Sequence, residues 1–236
     1  MKHIIKKVII LAVVFLFVLA GMPFVLATND NCTDKVYMTP EYQAEVAELK
    51  EKVENYLENK VTPYSGSYVV RNVPCYMQEK TNTCSTACIQ MIDKYKNGTK
   101  TSQTVIEEYQ RSLNDDHWNY VYIVTQALNH YVGGYEYVNT DDLAFASGLI
   151  YSIDNNMPLI CHIKTVDLPN YDAGQVFGHY VVATGYYAGF SGNSSVARVY
   201  YNDPHYNSDH FGSFYCDISQ MRTCINANQG YYIMSS

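Results

Sequence analysis

The chain has 236 residues, 47% of them hydrophobic and 17% charged, with a formal net charge of −7. That composition, with a mean hydropathy of −0.20, is that of a soluble globular protein with room for one sizeable core. The acidic balance repels nucleic acid and anionic membrane surfaces, so neither is an expected partner.

In chain order, the first feature is a basic start at Lys2, Lys6 and Lys7, followed by an unbroken apolar run over residues 8–19. Gly21 and Pro23 break that run, and Val25, Leu26 and Ala27 supply a cleavage site. This layout predicts a secretory signal peptide removed after Ala27, rather than an uncleaved anchor. Its removal takes away three lysines and no acid, which moves the charge from −7 by three to −10. The mature protein is expected outside the cell or in the cell envelope, with no stable membrane association. All seven cysteines, Cys32, Cys75, Cys84, Cys88, Cys161, Cys216 and Cys224, lie beyond the cleavage site, in an oxidising compartment. The odd count permits one reactive thiol and up to three disulfide bridges, with Cys216 and Cys224 close enough in sequence to pair.

Residues 28–38 are polar. Thr39, Pro40 and Glu41 form a helix start, and Val46, Leu49, Val53 and Leu57 recur at helical spacing to about Lys60. This helix either packs on the domain or serves as a short pro-segment. Residues 62–67 read as a turn and 68–73 as a strand. Helices are predicted over 84–95, ended by Asn97 and Gly98, and over 102–113, 118–131 and 140–155. After Pro158 the pattern changes to β-branched and aromatic runs at 159–164, 179–187, 197–202 and 231–234. Helices first and strands after indicate an α+β protein. The expected division is a signal peptide at 1–27, a helical extension and linker at 28–66, and one catalytic domain at 67–236.

Three segments carry the chemistry. Cys84 begins a helix whose face is shared by Cys88, Met91 and Tyr95. Unpaired N–H groups and the helix dipole favour an anion there, and so the thiolate. Gln78, six residues upstream, could aim its amide at the same point as the Cys84 backbone N–H and form an oxyanion hole. His179, after Gly178, opens an aliphatic strand and can present a ring nitrogen to that helix start. Asp203, before Pro204, ends a later strand and can orient the imidazole if the two strands pair.

Taken together, Val73-Pro74, Gln78, Cys84, Gly178-His179 and Asp203-Pro204 resemble, in order, the bacteriocin-processing (double-glycine) peptidase-like family of the papain clan. The resemblance covers residues 70–235. It implies a papain-like fold, with the nucleophile's helix packed on a C-terminal antiparallel sheet. It also implies a cysteine peptidase that acts on a peptide or protein substrate without a cofactor. In that reading Cys84 is the nucleophile, His179 the base and then the acid, Asp203 the orienter and Gln78 the oxyanion donor. Where the family commonly has Gly after the nucleophile, this chain has Ser85.

Other assignments compete with this one. His162 could replace His179 as the base. Asp203, His205, Asp209, His210 and Cys216 could form a metal site. The same fold could act as an amidase or transpeptidase on cell-wall peptides, or as a non-catalytic binding module. N-terminal sequencing of exported protein tests the first expectation: the mature chain begins at Thr28, and a membrane-held chain still starting at Met1 contradicts it.

Overall fold

The computed structural model describes residues 39–60, 68–188 and 196–236. Among these, six helices accompany a seven-stranded sheet: α1 (Pro40–Asn59), β1 (Tyr68–Val70), α2 (Cys84–Asn97), α3 (Gln103–Leu113), α4 (Val121–Tyr131), β2 (Tyr135–Asn139), α5 (Phe145–Asp154), β3 (Leu159–Lys164), β4 (Gly178–Ala188), β5 (Val196–Asp203), β6 (Gly212–Asp217), α6 (Ile218–Ala227) and β7 (Tyr231–Ser235). The expected signal peptide at 1–27, the polar stretch at 28–38 and the turn at 62–67 lie outside the described residues. No described helix is long and apolar enough to cross a membrane.

The sheet runs β2-β7-β3-β4-β5-β6, with every neighbouring pair antiparallel. β4 is its longest strand. It pairs with β3 over Gly178–Ala183 and with β1 over Gly185–Tyr187, so those two strands share one edge of it. β5 takes the other edge, with a register shift between Ala183 and Gly185 that bends the strand. The chain is therefore α+β, as its sequence indicates.

α2 is the central helix: all ten residues from Cys84 to Asp93 are buried. The polar residues among them are each bonded. Thr86 donates to Thr83 O, Gln90 to Thr101 O, and Asp93 accepts from the Thr101 N–H and hydroxyl. Gly98 ends the helix in a left-handed conformation, φ 72°, that a side chain would resist.

α1 begins as its sequence predicts. The Thr39 hydroxyl accepts from Tyr42 N–H at 3.2 Å, Pro40 follows, and Tyr42, Val46, Leu49 and Val53 enter the common core. The Tyr42 ring stacks on Tyr137 of β2 at 4.8 Å, and its hydroxyl donates to Tyr137 O. At the other end Tyr56 donates to Asp154 of α5, which also receives Lys60 and Tyr186. The helix is thus built into the far side of the domain, against α5 and β2.

Two helices start later than expected. Residues 117–120 form a turn closed by Tyr120 N–H to His117 O, which delays α4 to Val121. Asn139 O receives the N–H groups of Asp142 and Leu143, and that turn delays α5 to Phe145. Three elements were not expected: β2, β6 and α6. The signal for α6 was present, because Asp217 and Gln220 form a reciprocal capping box.

If α1 is part of the domain, Leu49→Ala should lower unfolding stability by about 2–5 kcal/mol in a denaturant titration. A removable pro-segment predicts no change in the unfolding of the remainder.

Candidate active site

β4 and β5 bring the two polar partners together. Val182 lies opposite Asn202, so continuing the register sets Val181 opposite Asp203 and leaves His179 on the diagonal. His179 Nε2 meets Asp203 Oδ1 at 2.8 Å, with both side chains buried. Nδ1 is the ring nitrogen left open, and Cys84 lies close enough to the ring to raise its proton affinity. Asp203 therefore orients the ring, with an Nε2 proton directed at the carboxylate.

Asp203 is fully buried and fully bonded. Oδ1 also accepts from His205 N–H at 2.9 Å, while Oδ2 accepts from Asn170 Nδ2 at 2.9 Å and from the Tyr171 hydroxyl at 2.8 Å. Asn170 is itself held by the Tyr201 hydroxyl and by both the carbonyl and the ring of His210. The β3–β4 connection is thus part of the site. Sequence reasoning missed Asn170 and Tyr171, which show no spacing that marks them.

The turn before Cys84 is tied to the same strand end. Gln78 N–H donates to Pro204 O at 2.6 Å, Asn202 Nδ2 donates to Val73 O at 2.9 Å, and the Cys75 thiol approaches Asp203 O at 3.7 Å. Thr83 stands at the N-cap of α2, but its hydroxyl bonds with Lys80 and makes no side-chain cap. The first N–H groups of α2 are left without that cap beside Cys84, where an anion can take them.

Gln78 is buried on the turn where its sequence position puts it. Its amide does not stand as expected for an oxyanion donor. Both Nε2 protons are used, by Lys80 O at 2.7 Å and Thr81 O at 2.8 Å, and Oε1 is buried without a partner. Ser85 has a definite place: it is fully buried, donates to Asn119 Oδ1 at 2.5 Å, and lies 3.4 Å from Gln110 Nε2. The hydroxyl thereby pins the helix start to the wall before α4.

The other cysteines are held as thiols. Burial pushes Cys75 up to about 12, Cys216 to about 12 and Cys224 to about 11, and pushes Cys88 and Cys161 well above the ordinary value. All six described cysteines are free, which corrects the expectation of bridges among them; Cys32 lies outside the described residues. They fall in two groups, Cys75, Cys84 and Cys88 at the α2 side and Cys161, Cys216 and Cys224 around α6. Of the alternative metal set, Asp203 is saturated, His205 Nδ1 accepts from Asn207 N–H, and His210 Nδ1 contacts Asn170 O. His162 also lines the cleft, but the carboxylate partner belongs to His179.

The cleft has two lobes that share Cys84, Asn119, Gly178 and His179. One, of about 390 Å³, runs past His162 and Asn228; the other, of about 250 Å³, runs past Gln78, Phe177 and His205.

Burial alone would pull the His179 imidazole down. The charge and hydrogen bond of Asp203, with Cys84 beside the ring, outweigh it and lift the ring from 6.5 to about 10. Burial likewise pushes the Asp203 carboxyl up, but His179, Asn170 and Tyr171 hold it below its ordinary range. The ring is therefore imidazolium at neutral pH and sheds its proton only as pH rises through about 10. Ring ¹⁵N shifts of His179 should show that transition, and Asp203→Asn should move its midpoint well down. A wild-type ring titrating near 6.5 contradicts the pairing.

Comparison with known proteins now adds an independent finding. The Peptidase C39-like family matches residues 70–225, more than half of the chain. A crystal structure described as a C39-like peptidase from Bacillus anthracis superposes with a TM-score of 0.50 at 14% identity, covering 72% of this chain and 98% of that one. The peptidase domain of Streptococcus ComA, a bi-functional ABC transporter of a quorum-sensing pathway, gives 0.45 at 16% identity, over 69% and 97% of the two chains. A double glycine motif protease from an AMS/PCAT transporter, in complex with its leader peptide, gives 0.41 at 19%, over 71% and 96%. At these identities the likeness is one of fold. The curated proteins return no match.

Proposed function

Because the chain belongs to the Peptidase C39-like family of cysteine peptidases, we propose that Cys84, His179 and Asp203 are its catalytic triad and that it works as an exported enzyme on peptide or protein substrates. The observation that carries this reading is the His179 ring, bonded to Asp203 at 2.8 Å and facing the same cleft as Cys84 at the start of α2.

The chemistry follows from those contacts. Asp203 holds His179 as the imidazolium, so Cys84 enters the reaction as the thiolate of an ion pair whose proton rests on the ring. The Cys84 thiolate adds to the carbonyl carbon of a peptide bond. The developing oxyanion is met by the uncapped N–H groups at the start of α2. His179 then gives its proton to the departing amine, and a thioester to Cys84 remains. Water, deprotonated by the same imidazole, releases the acid product and the thiol. Asp203 stays ionised throughout. Gln78 joins the oxyanion donors by releasing one of the two loop carbonyls that hold its amide in the free enzyme.

The domain division proposed from sequence, with residues 1–27 removed on export, is compatible with a site built from residues 73–210. The substrate approaches the cleft between the α2 start and the mouth of β4.

Two variants test the assignment. Cys84→Ala should abolish cleavage of peptides and labelling by a thiol-directed probe, with the thermal midpoint nearly unchanged. Gln78→Ala should lower kcat by about 10²–10³ while alkylation of Cys84 continues close to the wild-type rate. Full activity in Cys84→Ala refutes the nucleophile. A Gln78→Ala enzyme that loses turnover and alkylation together shows that Gln78 sets the turn and is no oxyanion donor.

A further inference from the structure

The triad leaves one histidine of the cleft without a task. His162 is the cross-strand partner of Tyr180, and its ring stacks on the tyrosine at 4.6 Å and 19°. That contact fixes the ring plane. Its Nδ1 is buried and has no hydrogen-bond partner among the described residues, and no bond to its Nε2 is found there either. His162 is only partly buried and lines the cleft, and its Nε2, unlike Nδ1, is not among the buried unpartnered atoms, so Nε2 is the nitrogen open to a partner from outside the chain. Burial also pulls this ring down to about 4, so it stays neutral at physiological pH, with one donor and one acceptor nitrogen.

Outside the Cys84–His179 pair, the lobe around it is polar but carries no charged side chain. Besides Cys84 and His179 it is lined by Asn119, Tyr120, Val121, Asn228 and Gln229, with no Asp, Glu, Lys or Arg. The amides are partly committed: Asn228 donates to Ile163 O, while Asn119 accepts from Ser85 and donates to Asn82 O. A charged substrate side chain would lose its hydration there without gaining a counter-ion. An aliphatic one would cover the ring edge and leave its nitrogen unbonded. A neutral side chain that can hydrogen-bond meets both conditions.

We propose that His162 is a specificity-determining residue, which selects a neutral hydrogen-bonding side chain, Ser, Thr, Asn or Gln, at one substrate position beside the scissile bond. Nδ1 is sealed in the wall, so the contact runs through the Nε2 edge that borders the cleft. The inference rests on the peptidase reading and adds to it the class of substrate sequence. Discrimination of this kind is large when the site's own polar group is left unpaired by the wrong substrate.

The test uses a mixture of peptides randomised over several positions, with cut sites identified by mass. Wild type should enrich Ser, Thr, Asn or Gln at one position within two residues of the cut bond, and deplete charged and aliphatic residues there. For matched peptides with Asn or Leu at that position, His162→Leu should reduce the Asn/Leu ratio of kcat/KM by about ten-fold or more. His162→Gln, which keeps a hydrogen-bonding group, should retain most of the ratio. If His162→Leu does not fold, His162→Phe preserves the stack on Tyr180 and should show the same reduction. Cleavage that depends on Cys84 but shows no such position, or a ratio unmoved by both apolar variants, overturns the subsite and leaves the peptidase reading standing. No Cys84-dependent cleavage of any peptide overturns both.

Discussion

A carboxylate with no access to water must be neutralised or surrounded by donors, and Asp203 is surrounded. Its two oxygens collect four hydrogen bonds, from His179, Asn170, Tyr171 and the His205 backbone. Meeting that requirement draws β4, the β3–β4 connection and the turn after β5 to one point. The imidazole gains a fixed orientation and a raised proton affinity as a result. The raised proton affinity of the ring is thus a by-product of solving an electrostatic problem in the core.

The helix carrying Cys84 has to arrive at that point with its first turn open. Three features arrange this. Thr83 spends its hydroxyl on Lys80 and leaves the helix uncapped by a side chain. Ser85, in place of the glycine common in the family, uses its hydroxyl to fasten the helix start to Asn119. The polar groups further along α2 are satisfied locally, so the helix can be buried on all sides without a penalty. The cleft is then divided at the Cys84–His179 pair into lobes of unlike chemistry, one neutral and amide-lined, the other bordered by the exposed aromatic rings of Phe177 and Tyr206.

Legibility in the sequence followed the strength of the local signal. Cys84, His179 and Asp203 could be read because each sits beside a punctuating residue or a helix start, and because strand alternation places two of them on neighbouring strands. α1, α2 and α3 have caps and apolar spacing that agree with each other, and their bounds were expected to within a few residues. β2 and β6 were hidden for a physical reason. Both are edge strands, five and six residues long, and Ser213, Tyr215 and Asp217 of β6 are exposed, so little apolar pattern marks it. Asn170 and Tyr171 were invisible because they act through a long-range fold contact, 33 and 32 residues from Asp203. The rotamer of Gln78 was beyond reach too: sequence places the residue, while the carbonyls of Lys80 and Thr81 decide where its amide points.

The end of β5 has one more implication. Asn202 holds Val73 and Ser213, Asp203 holds His179 and the β3–β4 connection, and the carbonyl of Pro204 holds Gln78. Three successive residues thus clamp four separate stretches of chain, and none of those clamps exists until β5 has paired. A nascent polypeptide can form α2, with its thiol, long before that moment. It then carries a sulfur without a base, an imidazole without a counter-ion and a turn without an anchor. Assembly of the last third of the chain is therefore what brings Cys84, His179 and Asp203 together.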